Sequence, residues 1–173
     1  TEWFVHRGSG LIEQNKGQEP DFYESLGTLT WLAGFTKTIK LSTGVLALPL
    51  RDTRVLARQA ITLQALSKGR LVLGIGIGDY PRDFRVMGIN YQNRNGLLDE
   101  YIDVLDAIFR GGQTNFQGKT ICFNNASYHP QVTKPPIMYG GGISFSRIKG
   151  SQTLFLPSLE RTALKCSGWI PEG

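Results

Sequence analysis

Apolar residues along this chain recur with two different periods. From Phe22 they step by three and four positions through Leu26, Leu29, Leu32 and Ala33, the spacing of one helix face. Pro20 and Asp21 open that segment and Gly34 closes it. From Ile39 to Leu48 the pattern becomes a nearly unbroken apolar run, which predicts a buried strand. Pro49 stops it, because proline has no N–H to give a central ladder.

The helical period returns after Asp52 or Thr53, either of which can cap the start, with Val55, Leu56, Ala60, Leu63 and Leu66 on the apolar face. Lys68–Gly69 ends this helix with a basic turn and a glycine. Leu71–Gly76 then reads as a strand covered on both faces. A further helix spans about Asn95 to Phe109 and buries Leu98, Ile102, Leu105 and Ile108, with Gly111–Gly112 breaking it. Residues 113–134 read as an excursion or hairpin, with Thr114–Phe116 against Thr120–Phe123. A short strand at Ile137–Tyr139 runs into three glycines. A helix around Leu159–Lys165 and a strand at Gly168–Ile170 complete the pattern. Strands alternating with helices over short connections predict an α/β fold with a parallel sheet or barrel.

Composition changes this picture little. A chain of 173 residues, 40% apolar and 19% charged, suits one globular domain over 1–173. The net charge of +5 is spread out, without the basic clusters and interleaved aromatics of a nucleic-acid surface, so no nucleic-acid partner is expected. No apolar run reaches the roughly 18 residues of a membrane span. Neither membrane association nor a secretory leader is expected, and a cytoplasmic location follows. Cys122 and Cys166 are far apart with no zinc-type spacing, so two free thiols and no metal site are expected.

The candidate chemistry lies in glycines at strand ends. Gly74, Gly76 and Gly78 form GxGxG, which misses the GxGxxG spacing of a dinucleotide fold, and the acids about 20 positions on, Asp99 and Glu100, fall mid-helix. Gly140, Gly141 and Gly142, with Ile143, offer successive backbone N–H groups to a phosphate, or are simply a flexible loop. His6 and His129 have no Ser, Cys or acid partner at an interpretable spacing, and no hydrolase or Walker motif is present. Tyr80, Phe84, Trp3, Phe4 and Trp31 read first as core aromatics. Trp3 and Tyr80, at strand ends, are the two placed to line a site.

Five segments in order carry a family resemblance: LSTGVLALPL (41–50), VLARQAITLQALSKGRLVLGIGIGDYPRDFRVMG (55–88), LLDEYIDVLDAIF (97–109), PPIMYGGG (135–142) and GWIP (168–171). Together they resemble the bacterial luciferase-like monooxygenases, flavin- or deazaflavin-dependent (β/α)8-barrel enzymes. The resemblance implies a partial TIM barrel in which Ile39–Leu48, Leu71–Gly76, Ile137–Tyr139 and Gly168–Ile170 are strands 3 to 6. Strands 1, 7 and 8 and most of strand 2 are absent, since such a barrel takes about 250 residues, and the chain is expected to be a partial one. Glu2–Trp3 takes the place of the acid–His pair ending strand 2, with His6–Arg7 the other register.

The same resemblance implies FMN or coenzyme F420 as cofactor, a small organic substrate and a homodimer. It implies a non-proline cis bond at Gly44–Val45 that bulges behind the cofactor ring, while an ordinary trans glycine in a strand fits the residues as well. Gly76, Ile77, Gly78 and Asp79 would line the ring, with Asp79 where many F420 users carry an acid and Ile77 where several FMN users carry Arg. Gly140, Gly141, Gly142 and Ile143 would hold the phosphate, although residues 144–158 lack the family's direct helix start. Glu2 and Trp3 would lie near the reactive face. The expected chemistry is hydride transfer or oxygen activation by reduced flavin, with no catalytic acid or base assigned. The alternatives are a non-catalytic flavin-binding relative with a shortened barrel and, less well matched by the glycine spacing, a Rossmann nucleotide domain.

Overall fold

The computed structural model describes residues 23–141, 143–145, 152–154 and 156–170, with backbone alone for 143–145, 152–154 and Leu156. Helix α1 (Ser25–Phe35) starts where Glu24, still extended, accepts from the N–H groups of Leu26 and Gly27. The cap sets the start at Ser25 rather than at Pro20–Asp21, which lie outside the described residues, and the helix runs past Gly34 to Phe35. Leu26 and Ala33 are buried and Leu29 and Leu32 pack partly against the core. Trp31, expected inside, is 64% exposed and tilts against Phe35 with ring centroids 4.8 Å apart. It lies one turn before Phe35 on the solvent side of the helix.

The expected strand over Ile39–Leu48 is two short strands, β1 (Leu41–Ser42) and β2 (Leu46–Ala47), followed by a 3-10 turn at Leu48–Leu50 that contains Pro49. Ile39 is exposed and outside the ladder. Asp52 caps helix α2 (Thr53–Leu66), accepting from the N–H groups of Arg54 and Val55. The buried face of α2 is Leu56, Ala57, Ala60, Ile61 and Leu63 with Thr53 and Gln64, whereas Val55 and Leu66 are exposed. Lys68 as well as Gly69 has positive φ in the turn out of α2.

Strand β3 (Leu71–Gly76) is the centre of the molecule. It pairs in parallel with β1 and β2 on one side and with β6 (Ile137–Gly140) on the other, and β6 pairs in parallel with β9 (Gly168–Ile170). Between them lie the short helix α3 (Pro81–Val86), which the apolar pattern did not show, and helix α4 (Arg94–Phe109). The hairpin β4 (Gln113–Gln117) with β5 (Cys122–Ser127) follows in antiparallel register, as expected. After β6 come a second hairpin, β7 (Ile143–Phe145) with β8 (Gln152–Leu154), and helix α5 (Leu156–Lys165).

Polar side chains tie these layers together. Buried Arg70 donates to the carbonyls of Ala33, Thr36, Ile39 and Ser67 and to the Thr36 hydroxyl, so a cation closes the C-terminal end of α1. Arg161 of α5 makes a bidentate pair with Asp99 of α4 (2.7 and 3.1 Å). Glu100 accepts from the N–H groups of Thr120 and Ile121 and holds the β4–β5 hairpin. The two acids that a dinucleotide fold would offer to a ribose are therefore structural here. Among the described residues no helix is long and apolar enough to cross a membrane.

The register of β3 changes by one residue across β1 and β2. Ser42 faces Val72 and Leu46 faces Ile75, so three residues on one strand oppose two on the other. This is a β-bulge at Thr43–Gly44–Val45. The bulge matches the sequence reading, but the cis bond does not: among the described residues the cis peptide is His129–Pro130, and Gly44–Val45 is trans. At the bulge a Cβ on Gly74 would be driven into the Thr43 carbonyl, whereas a Cβ on Gly44 would meet nothing within 4 Å. Gly74→Ala is expected to cost at least about 3 kcal/mol by urea denaturation. Gly44→Ala should leave stability unchanged or raised by less than about 1 kcal/mol. Equal effects would contradict the close approach.

Candidate functional site

Because β2, β3, β6 and β9 all run the same way, their C-terminal residues meet along one rim. Ala47 pairs with Gly76, Gly76 with Gly140, and Gly140 with Ile170. A cleft of about 250 Å³ opens there, lined by Val45, Ala47 and Leu50, by Gly76–Tyr80, and by Asp83 and Gly140.

Its floor is a valine laid over two glycines. A Cβ on Gly76 would come 2.8 Å from Val45 Cγ2, and one on Gly140 would come 2.5 Å from Val45 Cγ1. Neither fits without moving Val45, so both glycines are set by this contact. Gly78 has φ +80°, and a Cβ there would press on Phe84 at 3.0 Å. Phe84 is fully buried in a small cluster with Ala47 and Leu50, and meets Tyr91 edge-on at 5.2 Å. The Tyr91 hydroxyl donates to the Asp79 carbonyl (3.3 Å). The loop that carries Ile77–Tyr80 is therefore pinned from below rather than free.

The walls are acidic. Asp79 is exposed, and Asp83, 7% exposed, turns into the same cleft. Arg94 lies over the face of Tyr91 at 3.7 Å, and its Nε is the one buried side-chain nitrogen or oxygen among the described residues without a partner.

The sequence-predicted residues thus divide into groups. Val45, Gly76, Ile77, Gly78, Asp79 and Gly140 surround one cleft. Gly44 is exposed and does not line it. Gly141 is buried with φ +122°, its N–H donates to the Ile170 carbonyl (3.4 Å), and its own carbonyl accepts from the Trp169 indole. That N–H is spent inside the sheet. Ile143 begins β7, so the glycine run leads into a hairpin. Glu2, Trp3 and Gly142 lie outside the described residues. Tyr80 lines the cleft as expected of it, while Phe84 belongs to its support. The sequence reading missed Ala47, Leu50 and Asp83, which line the cleft. For Asp83 the one signal was its place beside Phe84 within the 55–88 segment. His129, read as lone, has its ring Nε2 2.9 Å from the Ser127 hydroxyl on the exposed hairpin end.

The rim is braced from outside by Arg51, next to Leu50, whose guanidinium meets Glu24 at 3.0 Å. Burial pushes the Glu24 carboxyl up, but the Gly27 and Leu26 N–H groups and Arg51 outweigh this and hold it below its ordinary 4.5. The hydrogen bond from Arg54 holds Asp52 below its ordinary 3.8, against a smaller upward push from burial. Burial raises the Cys166 thiol to about 11, which leaves it protonated and inert. Among the described residues no group of three or more His, Cys, Asp or Glu side chains is placed to hold a metal ion.

Residues 8–147 match the sequence profile of the luciferase-like monooxygenases. An uncharacterised protein of Mycobacterium tuberculosis is 31% identical over 121 residues, which are 69% of this chain and 42% of that protein. The chain therefore spans less than half the length of that relative. Solved structures that share its fold include two cofactor-dependent enzymes. The coenzyme F420-dependent tetrahydromethanopterin reductase of Methanopyrus kandleri has a TM-score of 0.60 at 24% identity, covering 70% of this chain and 40% of its own. The oxygenating constituent of 3,6-diketocamphane monooxygenase from the Pseudomonas putida CAM plasmid, in complex with FMN, has a TM-score of 0.62 at 23% identity, covering 70% and 38%.

The depressed carboxyls fix a pH dependence. The stability that Glu24 and Asp52 contribute is complete above their ordinary values and is lost as pH falls through the lower folded values. Urea midpoints should fall between about pH 5 and pH 2. The Glu24→Gln/Asp52→Asn double variant should show a flatter profile over that range, and an unchanged slope would contradict the assignment.

Proposed function

The chain belongs to the luciferase-like monooxygenase family, and on that premise we propose that it is part of a flavin- or F420-dependent oxidoreductase acting on a small organic substrate. The strands described here would be neighbouring members of a (β/α)8 barrel. The observation that carries this reading is the valine-over-glycine floor at the C-terminal ends of parallel strands, the face where barrel enzymes hold their ligands. A flat ring needs a surface free of projecting Cβ atoms, and Gly76 and Gly140 supply it with Val45 as an apolar backing.

The fit is to the ring rather than to a whole cofactor. About 250 Å³ is below the roughly 300 Å³ at which small-molecule pockets usually begin. The described residues would hold the tricyclic part, and the side chain of the cofactor would extend beyond them. The side-chain oxygens of Asp79 and Asp83 can accept hydrogen bonds from ligand N–H or O–H groups, which suits a ring edge better than a phosphate. The phosphate is assigned to the glycine run after β6, Gly140–Ile143, where the Gly141 N–H is already engaged by the Ile170 carbonyl. When bound, the cofactor supplies hydride transfer or, reduced, oxygen activation. The protein's own part is to orient the ring on Val45, keep water from its back face and fix its polar edge. Glu2 and Trp3 are assigned to the reactive face, and cytoplasmic homodimers complete the proposal.

A second reading is a flavin-binding relative that does not turn over. Ile77 favours it, since an apolar side chain packed on the core stands where a phosphate-binding Arg would be useful. Fluorescence titration of the protein with FMN and with F420 tests both. Dissociation constants near about 1 μM for one of them are expected, weakened about tenfold by Gly140→Ala, which pushes Val45 into the cleft. Binding of neither at about 100 μM would overturn the cofactor reading, and binding without NAD(P)H- or substrate-dependent turnover would favour the second.

A further inference from the structure

We infer that Thr43 is the positioning residue of the cleft: its hydroxyl, clasped to Gly74, holds the bulge that lays Val45 over Gly76 and Gly140. Its functional half, the control of cofactor affinity, rests on the cofactor reading above, while its structural half rests on hydrogen bonds alone.

Thr43 is 2% exposed and does not line the cleft. Its Oγ1 accepts from the Gly74 N–H at 2.8 Å and donates to the Gly74 carbonyl at 2.8 Å. In a regular parallel ladder those two groups would pair with neighbouring backbone. At the register change no strand backbone is opposite them, and a single hydroxyl satisfies both. The last ladder bond before the change is Thr43 N–H to the Val72 carbonyl at 3.3 Å.

Without the hydroxyl, two buried backbone groups of Gly74 lose their partner. The backbone alone regains it by closing the bulge into regular register. Such a slip of one residue turns the side chains that follow to the opposite face, and Val45, the last residue of the bulge, would leave the floor. Thr43 thus acts on the cleft through Val45. A threonine suits the position twice, with a hydroxyl for Gly74 and a β-branched shape for the strand.

The test compares Thr43→Val, which keeps the shape, Thr43→Ser, which keeps the hydroxyl, and Val45→Ala, which keeps the clasp. Each is titrated with FMN and with F420, and contacts between the Val45 methyls and Gly140 Hα are followed by NMR. Affinity should fall about tenfold or more in Thr43→Val and Val45→Ala and stay within about threefold of wild type in Thr43→Ser. The Val45–Gly140 contacts should vanish in Thr43→Val alone of the two Thr43 variants. Contacts retained in Thr43→Val, or a Thr43→Ser loss as large as that of Val45→Ala, would overturn the positioning role. Should Thr43→Val not fold, Thr43→Ser against Val45→Ala decides by the same criterion. If wild type binds neither cofactor, the cofactor reading fails by itself, and the contacts in Thr43→Val still decide the clasp.

Discussion

The structure depends on how closely the strand over 41–47 approaches β3. That approach brings the Thr43 carbonyl to the α-carbon of Gly74 and leaves room there for hydrogen alone. It also lets one hydroxyl pair with both backbone groups of Gly74. The valine floor at the C-terminal rim lies directly beside this contact. The extra residue of the bulge displaces Val45 toward the next strands, and Gly76 and Gly140 are bare because Val45 occupies the space their side chains would take.

Support for the rim is assembled from chemically different sources. Beneath the 77–80 loop lies an apolar cluster of Phe84, Ala47 and Leu50, with Tyr91 reaching up to the Asp79 carbonyl. Outside it, the Glu24–Arg51 pair joins the start of α1 to the end of the β2 turn. Behind β6, Arg161 bridges Asp99 and the Tyr139 hydroxyl (3.4 Å). Charge is used for bracing away from the cleft, and the two carboxylates that face it, Asp79 and Asp83, are left available to a ligand. A neutral, flat floor beside an acceptor-rich wall suits a polar heteroaromatic ring better than a phosphate.

The residue pattern alone determined the elements whose physics is local. Period and caps placed α2 and α4, the apolar run placed β3, and the order of strands and helices required a parallel sheet. Gly76 and Gly140, at strand ends, and Gly78, two residues beyond one, were legible as positions at the strand rim, and all three line the cleft. The pattern missed what depends on partners distant in sequence. Trp31, Val55 and Leu66 are apolar yet exposed, since which side of a helix faces the core is decided by the neighbouring layer. Thr43 looked like an ordinary strand residue, and its meaning lies in Gly74, 31 positions away. Gly141 resembled a phosphate donor until the pairing of β6 with β9 claimed its N–H. A sequence records each residue's capacity to bond and pack, and only the folded chain decides which capacities are already used and which remain for a ligand.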